Sequence, residues 1–139
     1  LKEDGVTYVS VEEALREADI VSNHMNQTQE NEDYFDWEKF CQMKKTAYFV
    51  NVGRGACVSE TALARALDEG EIAGAGLDVL KGTQPDLEKT NLCHRPNVIL
   101  TPHSAFYSKE VMEFLAEAPA RNVINYFGGQ KDKISNIVC

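Results

Sequence analysis

Short apolar runs of strand type alternate with helical periodicity along this chain, and that alternation is met by few folds. Strand-like runs fall at 19–22, 47–52, 72–80 and 97–101, and 5–9 reads as a further strand or an extended loop. Between them, Ser10 and Glu13 form a capping-box pattern ahead of Val11, Ala14, Leu15 and Ala18 on one helical face. Asp36 caps a helix carrying Trp37, Phe40 and Cys41, ended by Lys44 and Lys45 where cations suit the helix dipole. Leu63, Ala66 and Leu67 mark a helix over 59–69, stopped by Gly70. A long helix over 108–127 carries Pro119, which predicts a kink, and stops at Gly128-Gly129. Strand and helix in alternation imply a parallel sheet covered on both faces, an α/β fold of three layers, α/β/α. The small residues within 72–80 are expected where helices press close. The loop 81–96, with Pro85 and Pro96, is long enough to be functional.

Composition narrows the class. With 139 residues the chain is long enough for one real core. A net charge of −8 argues against a nucleic-acid or anionic-membrane surface. No secretory or membrane-length apolar run is present. Cys41, Cys57, Cys93 and Cys139 are scattered without a CxxC pair, which fits reduced thiols in a cytoplasmic protein. The adjacent Cys93 and His94 do not have metal-ligand spacing, so no metal is expected. Leu1 in place of methionine points to a piece of a longer protein.

The stretch Asn51-Val-Gly-Arg-Gly-Ala-Cys-Val-Ser59 sits where a buried strand turns into a helix. Arg54 offers a rigid charged fork for a carboxylate or phosphate, and Gly53 and Gly55 are expected to let the backbone approach a ligand. Asp78 and His103 fall just beyond the ends of the next two strands. Parallel strands deliver all three residues to one sheet edge, where ligands bind in open α/β sheets. Gly74-Ala-Gly76 lies inside a strand and opens no helix, so it is not a dinucleotide fingerprint, and no G-x-G-x-x-G occurs in the chain. His24, near the end of the 19–22 strand, reads as a loop histidine.

The segment NVGRGACVSETALARALDEGEIAGAGLDVL, followed by PNVILTPHSAFYS, resembles the NAD-dependent D-isomer-specific 2-hydroxyacid dehydrogenases. The resemblance covers the C-terminal part of such an enzyme. The tail beginning PHSAFYS is similar to the C-terminal-binding-protein corepressor branch of the same superfamily. The resemblance implies a Rossmann-type sheet over 1–104, a linking helix over 105–129 and a tail over 130–139. It implies hydride transfer between NAD(H) and a 2-hydroxy/2-keto acid, with NADP left open. Arg54 would clamp the substrate carboxylate, and His103 would be the acid/base. Asp78 would hold the nicotinamide carboxamide, while Val52, Gly53, Arg54 and His103 would also lie against the cofactor. Phe106 would line the substrate pocket.

The family places a glutamate in the loop after the L-D-V strand to orient the histidine. Here Thr83 or Gln84 takes that place and neither is acidic; Gln84 is the assigned position, and Asp86 or Glu88 could substitute. The implied partners are a small 2-hydroxy or 2-keto acid, a second copy of the chain, or the N-terminal part that such enzymes carry. The alternatives are a corepressor-like NAD(H)-sensing binding module or a catalytically inactive fragment.

In the doubly wound fold, pyrophosphate rests on a glycine-rich turn that this chain lacks. The strand at 19–22 would also stand at an unpaired sheet edge. The 139-residue chain is therefore expected to bind NADH poorly, to show no dehydrogenase activity, and to self-associate or pair with the segment that would cover that edge. NADH fluorescence titration with light scattering checks this: micromolar binding by a strictly monomeric species would overturn it.

Overall fold

The computed structural model describes residues 5–82, 87 and 90–135. The chain forms two compact units that divide after His103. The first contains α1 (Val11–Glu17), β1 (Ile20–Asn23), α2 (Trp37–Gln42), β2 (Tyr48–Asn51), a 3-10 turn (Gly55–Cys57), α3 (Glu60–Asp68), β3 (Gly74–Leu77) and β4 (Val98–Leu100). The four strands are parallel and lie side by side in chain order. Residues 6–9 form no strand.

Helix starts follow from local chemistry. Ser10 Oγ accepts the Glu13 amide, Asp36 Oδ1 accepts that of Lys39, and Ser59 Oγ accepts that of Ala62. Gly70 takes the left-handed conformation, φ 70°, just past the end of α3. The strand expected over 72–80 is shorter. Pairing with β2 runs out at the bond from the Asp78 amide to the Asn51 carbonyl, 2.9 Å, because β2 itself ends there.

Parallel crossovers are right-handed almost without exception, so a sheet that advances in one direction keeps its connecting helices on one face. That face is the core. Phe49 of β2 and Phe40 of α2 are fully buried, with ring centroids 5.2 Å apart and edge-on; Phe35 lies 4.8 Å from Phe49. Leu15, Leu63, Leu67, Ala75 and Leu77 complete the packing.

The opposite face differs from expectation. Ile20, Tyr48 and Ile99 are 65%, 54% and 71% exposed. Within the first unit the described residues thus supply two of the three layers, since α1, α2 and α3 all pack on the same side. Gly74 of β3 has a matching explanation. Gly74 pairs with Tyr48 on this open face, and a Cβ there would meet the Asn97 carbonyl oxygen at 2.7 Å and the Tyr48 ring at 3.1 Å. Backbone and an aromatic ring, rather than a helix, press on it.

The second unit contains α4 (Lys109–Phe127), which continues through Pro119, and a 3-10 turn (Lys131–Lys133). Ser108 Oγ caps α4 by accepting the Val111 amide. Asn122 and Ser135 fasten the turn back onto the helix through side-chain to backbone bonds of 2.8 and 3.1 Å.

The loop ahead of β4 is fastened to α3 by a two-pronged contact from the Arg95 guanidinium to the Asp68 carboxylate. The hydrogen bonds from Arg95 hold the Asp68 carboxyl below the usual carboxylate range. A carboxyl depressed in the folded state stabilises above its unfolded pKa and loses that contribution as pH falls through its folded value. An NMR titration of Asp68 is expected to give a midpoint below that of an unfolded aspartate, and Arg95→Gln to move it back up. The stability gap between the two proteins should be present at neutral pH and shrink at pH values below the Asp68 midpoint. An unmoved midpoint in the variant would refute the contact.

Candidate functional site

A cleft of about 950 Å³ opens at the carboxyl ends of the strands in the first unit. Arg54 follows β2, Asp78 follows β3 and His103 follows β4, and all three line it. The convergence expected from the sequence is present, because three adjacent parallel strands end at the same level.

Each residue is held differently. Asp78 is buried, 6% exposed, and its carboxylate accepts the Thr101 hydroxyl. Arg54 is exposed, with Nη1 donating to the Gly53 carbonyl at 2.8 Å. His103 is exposed in the left-handed region, φ 54°, and its amide donates to the Thr101 carbonyl at 3.0 Å. Left-handed backbone at a residue with a Cβ costs on the order of 1–3 kcal/mol and concentrates at functional sites.

Below the Arg54 turn lies a buried amide network. Asn23 and Asn51 are 2% and 1% exposed and occupy paired positions at the ends of β1 and β2. Asn23 Nδ2 donates to Asn51 Oδ1 at 2.9 Å, and the Gly53 amide donates to the same oxygen at 3.1 Å. Asn51 Nδ2 donates to the Arg54 carbonyl at 3.1 Å, and Asn23 Oδ1 accepts the Met25 amide at 3.0 Å.

The glycines of the turn are needed first for packing within the chain. A Cβ on Gly53 would meet Met25 backbone atoms at 2.9 and 3.0 Å, and one on Gly55 would meet the Leu80 carbonyl group at 2.0 Å. On the Cβ side of both glycines the close neighbour is the chain's own backbone, and Gly55 also lines the cleft. Val52 is half-buried and bonded to β1 through its amide, which donates to the Asn23 carbonyl at 3.3 Å. Cys57, under the turn, has its thiol pushed up by burial.

The loop leaving β3 is also fastened. Glu60 Oε1 accepts the Lys81 amide at 2.7 Å, and its Oε2 accepts the Thr90 hydroxyl at 3.2 Å. Lys81 Nζ reaches Glu32 at 2.9 Å and Asp33 at 3.3 Å. Thr83, Gln84, Asp86 and Glu88, the positions considered for the histidine's partner, lie outside the described residues. Phe106 belongs to the second unit, where its ring stands 5.1 Å from that of Tyr107. His24 is an exposed loop residue bonded to Ser22 Oγ at 2.9 Å.

Sequence reasoning missed Asn23, Asn51, Thr101 and Glu60. The signal for the first two was present: an asparagine closes each of two consecutive strand runs, and parallel register places them side by side.

Residues 1–105 match the family model described as D-isomer specific 2-hydroxyacid dehydrogenase, NAD binding domain. A glyoxylate reductase of Korarchaeum cryptofilum is 43% identical over 129 residues, 93% of this chain and 39% of the relative. A D-lactate dehydrogenase of Streptococcus agalactiae is 41% identical, covering 82% of this chain and 39% of its own. The NAD-complexed D-isomer specific 2-hydroxyacid dehydrogenase from Lactobacillus delbrueckii ssp. bulgaricus superposes with a TM-score of 0.85 at 35% identity, over 95% of this chain and 44% of that one. The chain thus spans less than half the length of these relatives.

The two glycine contacts make a contrasting pair of substitutions. Gly55→Ala drives a methyl into Leu80 backbone that cannot rotate away, and should cost about 3 kcal/mol or more. Gly76→Ala places its Cβ 4.0 Å from a single Val50 methyl and should cost well under about 1 kcal/mol. Urea denaturation of both variants checks this, and equal midpoints would refute the close approach at Gly55.

Proposed function

The chain belongs to the D-isomer specific 2-hydroxyacid dehydrogenase family, and from that premise we propose that its cleft is the nicotinamide end of an active site for NAD-dependent hydride transfer between 2-hydroxy and 2-keto acids. The observation that carries the proposal is the convergence of Arg54, Asp78 and His103 on one cleft. Relatives named glyoxylate reductase, D-lactate dehydrogenase and glycerate dehydrogenase support a short 2-hydroxy acid as substrate.

The residues present fit one end of the cofactor. Asp78 is a buried acceptor whose carboxylate is oriented by Thr101, which suits the amide donors of a nicotinamide carboxamide. Arg54 and His103 line the cleft beside it, with Leu77 and Leu100 as apolar wall, and Val52 and Gly53 keep in this proposal the cofactor contact that the resemblance assigns them. The chain holds no glycine-rich turn for the phosphates. When bound, the nicotinamide supplies or accepts the hydride.

The protein's own part is charge and proton placement. Arg54 stands at the cleft as a permanent cation with a bidentate fork, able to grip a substrate carboxylate and polarise the adjacent 2-keto oxygen. His103 gives a proton to that oxygen in reduction and takes it from the hydroxyl in oxidation. Gln84 and Phe106 keep in this proposal the roles the resemblance assigns them, support of the imidazole and contact with substrate. The exposed edge of β1, with Ile20 at 65% exposure, is where pairing with another copy or with further chain of the same protein is proposed.

The test is Arg54→Lys in the protein that carries this chain. A lysine keeps the charge and loses the fork, so kcat/KM for 2-keto acids should fall by a factor corresponding to about 2–4 kcal/mol. NADH affinity should change far less. Unaltered turnover would remove Arg54 from the site.

A further inference from the structure

We propose that Asn23 is a positioning residue that sets the Arg54 turn through Asn51; the catalytic half of this inference rests on the function proposed above. Asn51 Oδ1 receives two donors, the Asn23 side chain and the Gly53 amide, while Asn51 Nδ2 holds the Arg54 carbonyl. An asparagine amide can lie either way round in a pocket, with oxygen and nitrogen exchanged. Here the orientation is fixed by Asn23. Its Oδ1 is held by the Met25 amide, so its Nδ2 must point at Asn51, and only the oxygen of Asn51 can face a donor. Once that oxygen is placed, Asn51 Nδ2 points at the turn. The direction in which the chain leaves β2, and hence the base from which Arg54 reaches the cleft, follows from a donor on the neighbouring strand. Both amides are buried, so water does not replace a lost partner, and an unmatched amide would be costly. The arrangement is closed: among the described residues no buried side-chain polar atom lacks a partner.

The decisive variant is Asn23→Asp. It keeps the shape and the acceptor for Met25 and replaces the donor with a second oxygen facing Asn51 Oδ1. Amide hydrogen exchange on this chain reads the result without reference to activity. Gly53 exchange should rise about tenfold or more, as loss of one buried hydrogen bond implies, while Ala75 and Leu63, bonded elsewhere in the sheet and α3, stay protected. If Ala75 and Leu63 also lose protection the unit has unfolded, and Asn23→Leu, similar in volume and without charge, takes its place with the same expectation. Gly53 protection unchanged in a folded variant would overturn the proposal.

A second readout, in the protein that carries this chain, is the split between kcat and KM. The variant should lower kcat for 2-keto acid reduction about tenfold and leave the KM for NADH within about twofold, whereas general loosening would move both. Altered Gly53 exchange with an equal change in both constants would reduce Asn23 to a packing residue and overturn the catalytic half. A wild-type protein with no turnover of any 2-keto acid would instead refute the function proposed above, and the exchange result would still stand.

Discussion

A buried amide must find partners for both its oxygen and its nitrogen, and in this fold two such amides close the strand ends on which the site is built. Asn23 and Asn51 lie opposite each other in register, so a polar layer caps the apolar layer formed by Val21 and Phe49 two residues earlier in the same strands. The cap does what hydrophobic packing cannot. Phe49 fixes the sheet face against the helices without direction, while the amide pair fixes where the next three residues go. A non-directional core and a directional cap meet within three residues, and the Arg54 turn inherits the precision of the second.

The lopsided packing of the first unit follows from topology. Four parallel strands in chain order, with right-handed crossovers, place every helix on one side. The residues show it, since Phe49 is fully buried while Tyr48, its neighbour in sequence, is half exposed. Alternating pattern alone did not give this away. Ile20, Tyr48 and Ile99 are as apolar as buried residues, and apolar content on both faces is what a sheet covered twice would show. The surface they form within this unit has the composition of an interior.

What was legible in the sequence and what was not separates along the same line. Strand positions, helix caps and the convergence of Arg54, Asp78 and His103 came from local pattern plus one topological rule, and each depends on spacing along the chain. Gly53 and Gly55 were read as places of close approach, and the backbone they meet on the Cβ side was not foreseen. The close neighbour is Met25 or Leu80, distant in sequence, and no local pattern distinguishes a ligand from a piece of backbone. Thr101 and Glu60 were passed over for a related reason. Each is an ordinary residue in an ordinary place, a strand-end threonine and a first-turn glutamate, and its meaning comes from Asp78 or from Lys81 and Thr90 across a gap in the chain.

The three cleft residues differ in how firmly they are held, and the difference suits their chemistry. A carboxylate that is to accept hydrogen bonds from a flat amide gains from being fixed, since an acceptor aimed in advance loses little freedom on binding. Asp78 is buried and oriented by Thr101, while its own amide is bonded to Asn51. An arginine that is to grip a small anion needs reach, and Arg54 is exposed on a turn whose backbone is bonded to the buried Asn51. His103 combines the two. Its side chain is exposed, while its backbone is left-handed and its amide is bonded to the Thr101 carbonyl. Thr101 therefore touches both: its hydroxyl sets Asp78 and its carbonyl receives the His103 amide. One residue at the end of β4 thus bonds both the buried acceptor and the backbone of His103, the group proposed above as the proton carrier.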